Sequence, residues 1–166
     1  MKKKYPSCQI LLRPHPLTFE RAIKHGEMTQ DEVAAYKKNN EDAGVFFDTN
    51  ASIDTTLPNV DILISDFSSI LADAILAGKA IIYCGRETVV PPNASLLSLL
   101  KVVYHAKNWN EVEEYVDMLL NNVDPLEPER KKLAQKWKNE HANSCTRILD
   151  YLNDDFYQLH SKKEEQ

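Results

Sequence analysis

The sequence predicts an α/β fold built on a parallel sheet, and three observations predict it. Short apolar runs alternate with longer helix-patterned segments from residue 7 into the C-terminal region. That alternation is the pattern of parallel strands joined by right-handed helical crossovers. The segment "DILIS" (61–65) is continuously apolar between its polar ends, as expected of a strand covered on both faces. Helix punctuation falls between the runs. Thr29 followed by Glu32 makes a capping box, and Gly78 stands as a C-terminal stop, each satisfying backbone groups that a helix leaves unpaired.

The elements follow in order. "SCQILLRP" (7–14) is an apolar run closed by proline, the first strand. "TFERAIKH" (18–25) is weakly helical. "TQDEVAAYKKNN" (29–40) starts a helix at Thr29 that runs to about Asn39 and breaks at Gly44. "GVFFD" (44–48) is the second strand and "DTTLPNV" (54–60) a short turn or helix. "DILIS" is the third strand, "SSILADAILAG" (68–78) a helix and "KAIIYC" (79–84) the fourth strand. A short helix, "NASLLSLL" (93–100), precedes the fifth strand, "KVVYHA" (101–106). "NWNEVEEYVDMLLNN" (108–122) places Trp109, Val112, Val116 and Leu119 on one helical face, and this pattern assigns the tryptophan to the core ahead of a stacking platform. Trp137 is assigned to the core in the same way. Helices at 127–141 and 144–160 complete a Rossmann-like sheet flanked by helices, with extra C-terminal helices. The expected organisation is a single domain over 1–160 and a frayed tail over 161–166.

Composition narrows the function classes. A chain of 166 residues, 43% hydrophobic and 27% charged, suits one globular domain with a real core. A net charge of −5 argues against a general nucleic-acid binder, so any anion site is local and built from few groups. Cys8, Cys84 and Cys145 are far apart and odd in number, which reads as free thiols in a reducing, cytoplasmic setting. No Cys/His spacing suggests zinc, and no carboxylate cluster suggests another metal. No apolar run approaches the roughly 20 residues of a membrane span, and "MKKK" is not followed by the apolar segment of a signal peptide.

Two polar breaks sit where strands end, the place where open α/β sheets bind ligands. In "RPHP" (13–16) the prolines hold Arg13 and His15 on a stiff extended segment. One reading is a rigid turn with a surface histidine; the other is recognition of an anionic oxygen by a guanidinium and an imidazole. In "SDFSS" (65–69), Ser65 ends the third strand, and Asp66, Ser68 and Ser69 lead into a helix. Helix capping explains one or two such residues. The alternative is an anion cradle of hydroxyls and free helical N–H groups, with Asp66 capping the helix or holding a sugar hydroxyl. Asp73 lies among Ile70, Leu71, Ala74 and Ile75. It reads as a buried carboxylate with a structural partner ahead of a chemical role.

"LLRPHPL" followed by "DILISDFSSILADAILAGKAIIY" resembles the CDP-glycerol glycerophosphotransferase family, the teichoic-acid primases and polymerases of GT-B fold. Arg13, Pro14, His15 and Pro16 match the family's first motif. Asp61, Ser65, Asp66, Phe67, Ser68, Ser69 and Asp73 match its second, and Ser144 and Arg147 in "ANSCTRILDYL" match its C-terminal segment. Similar His-Pro and Ser-Ser pairs occur in bacterial CMP-sialic-acid transferases. The chain departs from the family pattern at "HAN" (141–143) and at "GRETVV" (85–90).

The resemblance implies the C-terminal, donor-binding half of a two-domain GT-B enzyme whose N-terminal domain is missing from this chain. It implies transfer of glycerol phosphate, or a related polyol phosphate, from CDP-glycerol or a similar donor to a cell-wall or capsule polymer, without cofactor or metal. Arg13, His15, Ser68 and Ser69 would then hold the donor diphosphate, and His15 would serve as the acid–base group. Ser65, Asp66, Asp73, Ser144 and Arg147 would support the site or bind sugar and ribose. Glu87, after the fourth strand, lies where a ribose or base would sit, although a solvated loop accounts for it ahead of that role. The alternatives are a CMP- or UDP-sugar transferase of capsule synthesis and a non-catalytic nucleotide-binding module. A peripheral location at the inner membrane face would come from parts outside this chain.

Overall fold

The computed structural model describes residues 1–85 and 94–164; the side chains of 94–96 and 155–164 lie outside that description. The protein is α/β, with two small parallel sheets flanked by helices. It divides into two compact units, Met1–Thr56 and Leu57–Gln166.

In the first unit, β1 (Ile10–Leu12) pairs in parallel with β2 (Val45–Phe47), in a register that sets Ile10 against Val45 and Leu12 against Phe47. Between them run α1 (Thr18–Lys24) and α2 (Gln30–Asp42). The capping box at Thr29 forms as expected. The Glu32 N–H donates to Thr29 Oγ1 at 3.2 Å, and the Thr29 N–H donates to Glu32 Oε2 at 2.7 Å. Hydrogen bonds from the Thr29 N–H and hydroxyl hold the Glu32 carboxyl below its usual pKa. The helix runs to Asp42, past the expected end near Asn39. The chain then turns through Gly44 at φ +79, a left-handed conformation that side chains with a Cβ resist. Tyr36 of α2 lies edge-on to Phe47 of β2 and tilted against Phe19 of α1, with ring centroids 6.5 and 5.9 Å apart. These aromatic pairs fasten both helices to the strand pair.

The second unit contains β3 (Ile62–Ser65), α3 (Ile70–Leu76), β4 (Ala80–Tyr83), α4 (Ala94–Leu100), β5 (Tyr104–His105), α5 (Trp109–Leu120), α6 (Glu127–Glu140) and α7 (Ser144–Glu164). Its sheet has the order β3-β4-β5, parallel throughout, with Ser65 opposite Tyr83 and Tyr83 opposite His105. All four residues of the central strand β4 are buried. Leu71 and Ile75 of α3 and Ile81 and Ile82 of β4 are all nearly or fully buried, with Ile81 and Ile82 on opposite faces of the sheet. Each contributes about 2 kcal/mol through apolar burial. Val112 and Val116 of α5 and Leu133 and Ala134 of α6 complete this core.

The strands form two parallel ladders, β1-β2 in the first unit and β3-β4-β5 in the second, consistent with the expected Rossmann-like α/β fold. One expectation needs correction. β3, expected to be covered on both faces, is only half-buried, with Ile64 37% exposed. Among the described residues it has a hydrogen-bonded strand neighbour on one side only, and the fully buried run is "AIIY" of β4.

A charged clasp closes the second unit. Arg130 of α6 is buried and pairs with Asp124 in the connection from α5. Tyr104 of β5 donates its hydroxyl hydrogen to Asp124 Oδ1 at 2.7 Å and accepts from the Leu126 N–H at 3.3 Å. Burial, reinforced by the bond to Asp124, pushes the Tyr104 phenol up to about 12.

Candidate functional site

The register of the second unit lines up three strand ends. The Cys84 N–H donates to the Ser65 carbonyl and the Ala106 N–H to the Tyr83 carbonyl, both at 2.9 Å. Each ladder is thereby carried one step past the strands, and Ser65, Cys84 and Ala106 follow one another across the carboxyl edge. An open cleft of about 390 Å³ sits at this edge, lined by Ile64, Ser65, Asp66, Cys84 and Ala106 on the sheet side and Lys107, Asn108, Trp109 and Val112 on the other. This is the edge at which open parallel sheets bind ligands.

The start of α5 builds the second wall. Asn108 caps the helix, its Oδ1 accepting from the Glu111 N–H at 3.1 Å. Glu111 reaches back to accept from the Lys107 N–H at 2.8 Å and from Asn108 Nδ2 at 2.9 Å. Val112 is buried beneath, and Trp109 stands 53% exposed, its indole Nε1 donating to Glu113 Oε1 at 3.0 Å. The assignment of Trp109 to the core is therefore corrected: it occupies the first position of α5, one turn before the buried Val112, and stands in the lining of the cleft. Trp137 is half-buried on α6.

Asp66 is exposed at the mouth of the cleft and Lys107 is exposed opposite it in the lining. Among the described residues that line the cleft, these are the only acidic side chain and the only basic one. Burial, and secondarily the negative charge of Asp66, pushes the Cys84 thiol above its usual pKa, which leaves it protonated and weakly nucleophilic at neutral pH.

The other predicted residues of this unit lie elsewhere. Ser68 and Ser69 are exposed in the turn before α3 and do not line the cleft. The helix start receives its side-chain bond from Ser68, whose Oγ accepts from the Ile70 N–H at 3.3 Å, and not from Asp66. Asp73 is exposed, contrary to expectation, because Leu71, Ala74 and Ile75 take the inward face of α3 and leave residue 73 on the outer one. Ser144 donates its hydroxyl hydrogen to the His141 carbonyl at 2.6 Å, and Arg147 is exposed one turn further along α7. Glu87 lies outside the described residues.

In the first unit, "RPHP" follows β1. Arg13 Nη1 donates to Asp48 Oδ2 at 2.5 Å, just past the ends of β1 and β2. Asp48 also accepts from the Thr56 hydroxyl at 2.8 Å and the Asn50 N–H at 3.0 Å. Its side chain is 1% exposed against 26% for Arg13. Burial works to raise the Asp48 pKa, but the bonds from Asn50, Thr56 and Arg13, together with the Arg13 charge, outweigh it and hold the carboxyl below the usual range. His15 is exposed, and its Nδ1 accepts from the Leu17 N–H at 3.2 Å. The neutral ring therefore carries its proton on Nε2.

Arg13 and His15 thus belong to the first unit, and Ser65 and Asp66 to the second. Sequence reading missed Asp48, Cys84, Lys107, Asn108 and Trp109. A signal was available for the last three, since "KNW" directly follows the fifth strand and strand ends were already the place to look.

No family model matches the chain, and no curated protein or solved structure does either. Among the described residues no helix is long and apolar enough to cross a membrane.

Proposed function

We propose that this chain binds a nucleotide-activated donor and serves a transferase that moves glycerol phosphate, or a related polyol phosphate, from a CDP-linked donor to a cell-wall or capsule polymer. The observation that carries this reading is the cleft at the carboxyl edge of β3-β4-β5, entered by Ser65 and Asp66 of "SDFSS". A carboxylate and a hydroxyl suit the hydroxyls of a ribose or polyol, and Lys107 supplies positive charge for a phosphate. Phosphoryl transfer rests mainly on positioning and charge stabilisation. The resemblance gives His15, in the first unit, the acid–base role, which requires the protonated ring.

A second reading is a nucleotide-binding module without catalysis of its own. It is favoured by the lining of the cleft, which among the described residues offers Asp66 and Lys107 for binding and contains no histidine.

Calorimetric titration of the full chain with CDP, CMP, UDP and CDP-glycerol tests both. Binding of a cytidine nucleotide that is weakened by D66N supports the donor site. Turnover of CDP-glycerol with an acceptor polymer, lost in H15A, supports the transferase; binding without turnover supports the module. Failure of all four ligands to bind at millimolar concentration refutes both readings. A preference for CMP- or UDP-sugars over CDP-glycerol would redirect the assignment to a sugar transferase.

A further inference from the structure

We infer that Trp109 is the platform on which the planar ring of the ligand stacks, so that recognition at this cleft depends on an aromatic ring and not on phosphate and sugar alone. This inference rests on the nucleotide reading and names the part of the cleft that takes the base. A large aromatic side chain is 53% exposed at the wall of a cleft of about 390 Å³. An exposed indole at a cleft wall offers a large flat apolar face on which a planar ring can stack. The ring is also held in place. Its Nε1 donates to Glu113 Oε1 one turn along α5, and the helix start beneath it is fixed by the Asn108 cap and the Glu111 bonds to residues 107 and 108. A preorganised ring loses little freedom on binding. Neighbouring lining residues divide the remaining ligand chemistry: Lys107 for an anionic group, Ser65 and Asp66 for hydroxyls, Val112 for apolar contact. A ring, hydroxyls and an anion together describe a nucleotide. A polyol phosphate or an inorganic phosphate offers no ring and leaves the indole uncovered.

The test uses the full chain in a W137F background, so that Trp109 is the sole tryptophan, with calorimetry run in parallel. CDP and CMP are expected to quench and shift Trp109 emission, and ribose 5-phosphate is expected to leave it unchanged. W109A should raise the Kd for CDP by roughly tenfold or more, the effect of losing one stacked base, whereas W109F should stay within about threefold because a phenyl ring still stacks. Circular dichroism checks that W109A folds, which its exposed position favours. If CDP binds by calorimetry but W109A changes its Kd by less than about twofold, the ring lies elsewhere; the platform is then wrong and the nucleotide reading survives. If none of CDP, CMP, UDP and CDP-glycerol binds, both are wrong.

Discussion

The buried clasp of the second unit makes a sharp energetic prediction, because its two charges are not equivalent. Arg130 is 1% exposed, and its Nε and Nη1 are buried without a partner among the described residues; Asp124 is 21% exposed and also accepts from Tyr104. Asp124→Ala leaves a guanidinium in the core with nothing to neutralise it and no water to solvate it. Removing one member of a buried pair costs about 3–5 kcal/mol, and the Tyr104 hydroxyl, now without its acceptor, adds about 1 kcal/mol. Arg130→Met removes the buried charge itself, together with its two unsatisfied donors, and fills much of the same volume. Asp124 then turns to water while keeping its bond from Tyr104. That substitution should cost about 1–2 kcal/mol or less, since apolar replacement of buried ions is often close to neutral. The double variant should cost about 1 kcal/mol more than Arg130→Met alone, because the Tyr104 hydroxyl has then lost its acceptor. Urea unfolding followed by far-UV circular dichroism gives all three values, with unchanged slopes as the check that the native state is preserved. Equal destabilisation by the two single variants, or a larger loss from Arg130→Met, would refute the reasoning.

Three further outcomes follow from other parts of the chain. Asp48 has a lowered pKa in the folded state, so its stabilisation is present above the unfolded carboxyl value near 3.9 and is lost as pH falls through the folded value. Asp48→Asn should therefore cost about 1–3 kcal/mol at pH 7 and flatten the acid limb of a stability-against-pH curve; a parallel curve would contradict the network. At pH 8, iodoacetamide should label exposed Cys145 faster than Cys84, whose thiol pKa is raised by burial and by Asp66. Asp66→Asn should speed labelling of Cys84 by about twofold to fivefold, as read by mass spectrometry, and an unchanged rate would mean that Asp66 does not act on the thiol. Thr29→Ala removes the hydroxyl that receives the Glu32 N–H and should destabilise the first unit by about 1 kcal/mol; hydrogen exchange at the start of α2 localises the effect, and unchanged protection there would show that the box contributes nothing.

What the sequence by itself determined is local. The capping box at Thr29 and the glycine stops at 44 and 78 depend on residues within one turn, and all are in place. The strand runs and their alternation with helices depend on composition over a few residues, and they led directly to an α/β protein with parallel strands. "SDFSS" was legible as a break at a strand end, and half of it, Ser65 and Asp66, does reach the cleft. What only the tertiary structure decided involves partners distant in sequence. Arg13 meets Asp48 35 residues away, a pairing set by the register of β1 on β2. β4 rather than β3 is the buried strand, because ladder order cannot be read from element order. Asp73 faces outward and Trp109 stands beside the cleft because the sheet and the neighbouring helices fix which side of α3 and which end of α5 are covered. A periodic pattern shows that a helix has an apolar face; how far that face extends is set by whatever packs against it.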